Sequence, residues 1–460
     1  MIVKKLNNQF LSLALLMLLI GSATFDLRGA SGDPDRTFGS GGVAVTSFLN
    51  IHPVAVEQQS GGKLLVLCYT GDGSSRRLVL RRHNANGSLD TSFGYQGEAV
   101  RSYIPLLNLV QRVYGTPKAV KVQADGKILV AGDTIDPQLA AVLRFTSAGI
   151  LDTTFGSGNG YVVLGLNVIS SSSFDIDISA GKPLLFYQVQ KVFSGPGYPF
   201  PITKTVSYLA RLLSDGSVDP TFGVLGSAYI PYMFVEGSGI TVSTASGMIY
   251  VFGYSHGSFD NEIYYRSRVF RFLNNGLSDS GFVPVEAPWV FDGSCLSPGG
   301  NLSTTSVHYE SLVVQSAENF VVSSDSINLG GWVFYQGNTS RFLANGFPDQ
   351  IFGDTYGGKC EVELDAPSTE PGPFVGGSRT TRVVQQSDGR FIFAGWDSAF
   401  PYLKRRFGNG DLDPSFQPSV SLGMGTMLDI LIQATDGKIV VLAKFPDHSW
   451  NGYKLLRLLP

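Results

Sequence analysis

Arg144-Phe145-Thr146-Ser147-Ala148-Gly149-Ile150-Leu151-Asp152-Thr153-Thr154-Phe155-Gly156 decides the fold, because its skeleton returns along the whole chain. Arg is followed by Gly five residues on, Asp three later and Phe three later still. The same spacing gives Arg82-Gly87-Asp90-Phe93, Arg211-Gly216-Asp219-Phe222 and Arg271-Gly276-Asp279-Phe282. It gives Arg341-Gly346-Asp349-Phe352 and Arg405-Gly410-Asp413-Phe416 as well. The two halves of a seventh copy stand at opposite ends: Asp35 and Phe38 near the start, Arg457 near the finish. A fixed period outranks any domain count drawn from length. Seven copies of one unit, cut inside the cassette, predict a single closed array with its two ends side by side.

Successive Phe anchors lie 55, 62, 67, 60, 70 and 64 residues apart, and each interval holds four strand-like runs. In the first these are Gly42–Phe48, Val54–Gln59, Lys63–Tyr69 and Arg77–His83, rich in Val, Leu and Tyr and bounded by Gly, Asn, Asp or Ser. The second and third runs form a hairpin, clearest at Gln123-Ala124-Asp125-Gly126-Lys127, Gln386-Ser387-Asp388-Gly389-Arg390 and Gln433-Ala434-Thr435-Asp436-Gly437-Lys438. Asp-Gly between alternating apolar residues is a strong hairpin signal, because both turn positions tolerate positive φ. Weaker copies stand at Ser179–Lys182, Thr244–Met248 and Ser316–Asn319. With no helical periodicity, these units predict an all-β, seven-bladed β-propeller of four-stranded antiparallel blades over residues 24–460.

The cassette reads mechanically. Arg closes a strand, Gly turns the chain, and Asp accepts backbone N–H groups two residues on. Phe is expected to plug between adjacent blades, with Arg pairing to Asp over the turn. Seven Asp residues do not make calcium sites on this reading, because each unit offers one carboxylate where calcium wants six or more oxygens. No cofactor is expected.

Arg-Phe-x-x-x-Gly-x-Leu-Asp-x-Thr-Phe-Gly, preceded by Gln-x-Asp-Gly-Lys-Ile-Leu-Val-Ala-Gly, resembles the delta-60 repeat family of bacterial exported β-propeller proteins. The resemblance covers nearly all of residues 33–460 and is strongest at Ala119–Gly156 and Thr381–Phe416. It weakens at Leu277-Ser278-Asp279-Ser280-Gly281-Phe282, where the Leu-Asp pair is lost. It implies a fold and export, and no agreed activity.

Lys4 and Lys5, the apolar run Phe10–Ile20 and Gly21-Ser22-Ala23 have the layout of a secretory signal. The run is short for a membrane span. Residues 1–23 are therefore expected to be removed, leaving a secreted or periplasmic chain with no membrane span. An anchor that stays attached is the alternative. Formal charge is −3 for the whole chain, and two Lys and no acid leave with the signal, so the expected mature charge is −5. Nothing here is a basic nucleic-acid footprint, and a monomer is expected. Cys68, Cys295 and Cys360 fit no zinc spacing. Cys68 reads as a buried thiol, whereas Cys295 and Cys360 either pair, as export permits, or remain two thiols.

No His-Glu-x-x-His, Gly-x-Ser-x-Gly or phosphate loop with Lys-Ser or Lys-Thr occurs. Carboxylates assembled across blades, such as Asp260, Glu262 or Asp397, would leave no local motif. Strand alternation puts the regular turns on one face and irregular loops on the other. The latter are expected at Ile104–Lys118, Phe291–Ser311, Asp365–Thr381, Lys191–Val206, Tyr254–Arg266 and Asn328–Ser340. Their aromatics, with Trp332, Tyr335, Trp396, Tyr402, Trp450, Tyr254 and Tyr198 foremost and Tyr453 among them, form the candidate ligand surface. The alternative is that they fold back over the blades. Three functions stay open: a non-catalytic protein binding a glycan or a partner protein, a polysaccharide-active hydrolase or lyase, and a structural envelope component. Ligands of many propellers sit beside the crossings between blades, which this reading assigns to the regular face.

Overall fold

Asp125-Gly126 turns the chain where the sequence places the turn: Gly126 has φ +82°, a region that L side chains avoid. The strands on either side, Arg112–Val122 and Ile128–Thr134, pair in register through Val120–Val130 and Val122–Ile128. Ala140–Phe145 and Tyr161–Leu164 complete an antiparallel sheet in chain order. This is blade 2 of a seven-bladed β-propeller. The computed structural model describes residues 30–47, 50–71, 76–101, 103–104, 112–134, 140–164, 174–195, 198–230, 236–259, 262–286, 305–328, 334–349, 351–352, 359–361, 378–397, 400–418, 426–444 and 452–460. The chain divides into two units, Met1–Ala30 and Ser31–Pro460, and the second is the propeller. The expected signal, residues 1–23, lies outside the described residues, as do Cys295, Trp332 and Trp450.

Blade 1 is built from Ile51–Gln58, Leu64–Thr70, Arg77–His83 and Glu98–Arg101. Blade 3 takes Phe174–Ser179, Lys182–Gly195, Tyr198–Arg211 and Ser227–Ile230, and blade 4 takes Glu236–Val242, Ile249–Phe259, Glu262–Phe272 and Val285–Glu286. Blade 5 takes Thr305–Val314, Phe320–Asn328, Phe334–Phe342 and Lys359–Glu361. Blade 6 shows Ser378–Gln385, Phe391–Asp397 and Phe400–Arg406 among the described residues. Blade 7 takes Thr426–Ile432, Ile439–Lys444 and Gly452–Leu458, and its outermost strand is Val43–Ser47 from the other end of the chain. The first strands of successive blades lie side by side around a closed ring. The ends therefore meet as the split cassette requires: Arg457 Nε donates to Asp35 Oδ2 at 2.8 Å, and the Asp35 amide donates to the Arg457 carbonyl.

The phase of the repeat differs from the sequence reading. Among the described residues, the run after each Phe other than Phe416 is the outermost strand of the preceding blade, so the cassette is a turn inside a blade, between its third and fourth strands. A periodic sequence has no origin, and only pairing reveals the cut. The crossings between blades therefore lie on the irregular face, with the loops between second and third strands. Cys360 is correspondingly on the outermost strand of blade 5, opposite Thr339.

The cassette works as a weld. In all seven copies Arg Nε donates to Asp Oδ2 at 2.7–2.8 Å. The guanidinium lies 4.4–4.9 Å from the centroid of its own Phe ring. Arg144 also reaches into the next blade, donating to the Ser214 carbonyl at 2.5 Å, as Arg82 does to Ser147 at 2.6 Å. Phe155 is fully buried in a cluster drawn from two blades, including Leu129 and Val142 of blade 2 and Phe174, Ile176 and Leu185 of blade 3. A Cβ on Gly216 of blade 3 would stand 2.9 Å from the Phe155 ring, so that glycine is required for close approach as well as for its φ of +89°. Asp152 Oδ1 accepts the Thr154 amide and hydroxyl at 3.1 and 2.6 Å. Burial pushes this carboxyl up, yet Thr154, Arg144 and Lys127 together bring it down to about 2. Both carboxylate oxygens are thus engaged within the protein.

Candidate functional site

The first strand of each blade has a free inner edge, and its unpaired amides need acceptors. Alternation along these strands buries Val56, Val120, Ile176, Val383 and Ile430 between blades and turns Glu57, Lys121, Asp175, Asp177, Arg382 and Asp429 to the partly exposed inner wall. There the side chains join every pair of neighbouring blades. Asp429 Oδ2 accepts the Val56 amide at 3.0 Å, linking blade 7 to blade 1. Lys121 Nζ lies 3.9 Å from Glu57 Oε2 and 3.7 Å from Asp177 Oδ1, linking blades 1, 2 and 3. Asp175 Oδ2 and Asp177 Oδ2 accept the Ile240 and Val242 amides of blade 4 at 3.0 and 2.9 Å. Thr241 Oγ1 donates to the Leu312 carbonyl at 3.3 Å, and the Val383 amide donates to Ser311 Oγ at 3.3 Å. Arg382 closes the circle, with Nε 3.4 Å from Asp429 Oδ1.

Six of the seven inner strands carry a register shift on this wall, as between Pro53 and Ala55 or Met427 and Asp429. A bulge re-aims the side chains that follow it, and bulges recur next to functional sites. Blade 3 lacks the shift and carries two carboxylates instead. Of the six charged residues named on this wall, four are acids and two are cations. Burial pushes Asp175 up to about 6 against the pull of the Ile240 amide and Lys121. Burial also raises Glu57. Asp177 holds Lys121 above its usual range, with Glu57 adding to the effect and burial opposing it. Among the described residues no group of acids, His and Cys could hold a metal ion. None of these wall residues carries a local motif; the signal was a charged residue at an inward position of an otherwise apolar first strand.

The irregular face is more ordered than its sequence suggests. Lys182–Gly195 and Tyr198–Arg211 stay paired out to Gly195–Tyr198, beyond the last pairs with the first strand at Phe174–Tyr187 and the fourth at Ser207–Ile230. Blade 4 does the same out to Phe259–Glu262, whereas in blade 5 the first strand stays paired to the end, Thr305 opposite Asn328 and Asn328 opposite Phe334. Segments expected as loops are therefore β-ribbons, because cross-strand pairing overrides their Gly and Pro content. Arg112–Val122, Thr305–Val314 and Ser378–Gln385 likewise absorb the ends of three other expected loops.

The candidate aromatics divide. Tyr254, expected in a loop, lies in the second strand of blade 4, opposite Ser267, and is 5% exposed. Tyr453 is buried opposite Thr46, with its hydroxyl 2.8 Å from His83 Nε2. Neither ring is presented to solvent. Tyr402 is half-buried in the third strand of blade 6, with Lys404 Nζ 5.7 Å from its centroid. The backbones of Tyr198, Tyr335 and Trp396 stand at the irregular-face ends of their strands, opposite Gly195, Ile327 and Pro401. Glu262 and Asp397 occupy similar strand ends, and Asp260 lies outside the described residues. On the regular face, a cavity of about 240 Å³ between blades 1 and 2 is lined by Gln59, Ser60, Lys63, Arg82, Ser147 and Ala148. Arg82 and Lys63 are held there by Asp90.

No curated protein sequence matches the chain. Among solved structures it is similar to the polysaccharide lyase Uly1, at 12% identity over 95% of this chain and 94% of that one, with a TM-score of 0.45. It is similar to Drosophila Semaphorin 2a at 10% identity over 91% and 75%, TM-score 0.48. It is similar to an alpha-L-arabinanase of Penicillium chrysogenum at 9% identity over 89% and 94%, TM-score 0.40. The family model described as a domain of unknown function (DUF5122) beta-propeller matches residues 59–93, 123–155 and 202–222, well under half of the chain. Each matched stretch ends at a cassette Phe, and the match supports a β-propeller repeat family.

Proposed function

We propose that this propeller is an exported binding protein that holds a glycan or a partner protein on its irregular face, over the mouth of the central channel, and performs no covalent chemistry. The observation that carries this reading is the raised ribbons of blades 3 and 4. They extend the irregular face beyond the first strands of their blades, with the backbone of Tyr198 at the end of one and Tyr264 and Tyr265 paired along the other. Loops and ribbons on a rigid scaffold are where recognition concentrates. The inner-wall carboxylates support a non-catalytic role, since Asp175, Asp177 and Asp429 accept backbone amides and Glu57 faces Lys121.

One observation favours the second reading, a polysaccharide-active enzyme. Asp175 is held near 6 beside Lys121, the range suited to proton transfer at neutral pH. The test is binding of the mature chain to a glycan array beside a Trp332→Ala, Trp396→Ala, Trp450→Ala triple variant. Loss of binding in the variant supports the irregular face. Unchanged binding moves the site to the channel or the regular face. Turnover of a bound polysaccharide that disappears in Asp175→Asn replaces the binding reading with the enzyme.

A further inference from the structure

We propose that His83 is an acid-sensitive latch on the closure of the ring, and that a proton on its Nε2 releases the outer strands of blade 7 from blade 1. In blade 7 the third and fourth strands come from opposite ends of the chain. Val43–Ser47 is held to Gly452–Leu458 by strand pairing, and Gly32 and Asp33 meet Leu459 through backbone hydrogen bonds. His83 stands across this seam, at the end of the third strand of blade 1. It is 3% exposed, and its ring meets that of Tyr453 edge-on, with centroids 5.9 Å apart. Tyr453 is fully buried, pairs with Thr46 of the other strand and packs in one cluster with Phe38, Ala44 and Cys68. In the other blades the residue after the cassette Arg is Phe145, Leu212, Phe272, Phe342, Arg406 or Leu458, so no other copy places a group there that titrates near neutral pH.

The hydrogen bonds fix where the proton sits. Nδ1 lies 3.0 Å from the Gly87 carbonyl, which can only accept, so Nδ1 carries the hydrogen. Nε2, 2.8 Å from the Tyr453 hydroxyl, is then the acceptor of the neutral ring, and the phenol donates to it. Thr46 and Arg81 also hydrogen-bond that hydroxyl, and Arg81 has only donors to offer. A second proton on His83 sets a donor against a donor and leaves the phenol hydrogen without its acceptor. It also places an imidazolium near the Arg81 guanidinium inside a buried seam, where an unpaired charge is costly. Arg81 on the same strand and Arg457 of blade 7, which donates to the Ala85 carbonyl, are cations throughout. Burial pushes the Cys68 thiol and the Tyr453 phenol up, away from neutral pH. Asp35 is raised by burial, yet Thr37, Lys438 and Arg457 bring it down to about 2. Glu98, on the outermost strand of blade 1, turns to Arg81, and Asp429 of blade 7 turns to the Val56 amide.

Hydrogen exchange of the mature chain at pH 7.5 and pH 5, expressed as protection so that the intrinsic pH dependence drops out, tests this beside His83→Phe. The peptides over Val43–Ser47 and Gly452–Leu458 are expected to lose at least about fivefold in protection at pH 5. The ceiling is roughly 30-fold, set by a histidine pKa of about 6.5 in the open state. Ile249–Phe259 of blade 4 keeps its protection, and His83→Phe abolishes the loss in blade 7. If that variant does not fold, His83→Leu, which copies Leu212 and Leu458, is read instead. A smaller loss in the outer strands of blade 7, a loss shared equally by every blade, or a loss as large in the variant overturns the proposal.

Discussion

Phe155→Ala tests the weld where it is best defined. The ring is fully buried, with Arg144 4.4 Å above its centroid and blade 3 residues Phe174, Ile176 and Leu185 in the same cluster. Removing a buried Phe costs about 3–5 kcal/mol when the cavity cannot collapse. Collapse is resisted here by two sheets held at fixed separation through the Arg144–Ser214 and Gly156–Asp215 hydrogen bonds. Loss of the guanidinium contact adds about 0.5–2 kcal/mol. Gly216→Ala provides the cross-check: its Cβ would strike Val162, the Gly156 amide and the Phe155 ring, all within 2.9 Å. In the Phe155→Ala background one of those three collisions is gone, so the two costs should sum to more than the double variant shows. Equilibrium urea unfolding followed by tryptophan fluorescence measures each stability, and hydrogen exchange locates the opening. Exchange should rise first in blades 2 and 3. A loss below about 1 kcal/mol for Phe155→Ala, or strict additivity with Gly216→Ala, would refute an inter-blade plug.

Two further outcomes concern pH. Asp175 is raised to about 6 from 3.8, so the folded chain binds this proton more tightly; its contribution to stability is full well below pH 3.8 and is lost as pH rises from there through 6. Asp175→Asn should remove that decline and gain on the natural protein at pH 8, and equal pH slopes in the two proteins would reject the shift. His83 is shifted the other way, first by burial and also by Arg81, against its hydrogen bond with the Gly87 carbonyl. Its neutral form belongs to the fold, so its contribution is complete above pH 6.5 and falls as pH drops below that. His83→Phe copies Phe145, Phe272 and Phe342, which follow the cassette Arg in other blades, and should flatten this acid limb in thermal melts between pH 7.5 and 5. An acid limb that stays as steep in the variant assigns it to other groups.

How much was legible in the sequence depended on distance along the chain. Arg144, Asp152 and Phe155 act within one turn, so their spacing announces both the repeat and the ion pair. Lys182 belongs to the same motif, 2.8 Å from Asp219, but joins it from another strand 37 residues away and left no local pattern. The inner wall was beyond sequence reading: Val56 and Asp429 meet only because the ring closes, 373 residues apart. The ribbons of blades 3 and 4 were read as loops because Pro196, Gly197, Pro199 and Gly257 mask the cross-strand pairing that holds them.

The two faces have divided their tasks, and the division explains where the repeat is strict and where it drifts. On the regular face each cassette residue has a partner in its own or the next blade, so a change in length or identity breaks a weld. On the irregular face the segments joining second to third strands and one blade to the next meet no such requirement. Variation from 55 to 70 residues between anchors can therefore accumulate there at little cost to the ring. Ligand recognition is expected where variation is free. Blades 4 and 5 are the exception on the strict face. Elsewhere Lys63, Lys127, Lys182, Arg390 and Lys438 lie 2.7–3.6 Å from the cassette Asp of their own blade. Met248 and Asn319 hold that position in blades 4 and 5, and the Arg–Asp–Phe weld stays intact. The same two blades also lack the hydroxyl that bonds Asp Oδ1 elsewhere, because Gly281 and Ile351 stand where Thr154 stands in blade 2 and offer only their amides. The Arg–Asp pair and the buried Phe are therefore the part of the cassette that the ring needs, and the flanking contacts are dispensable.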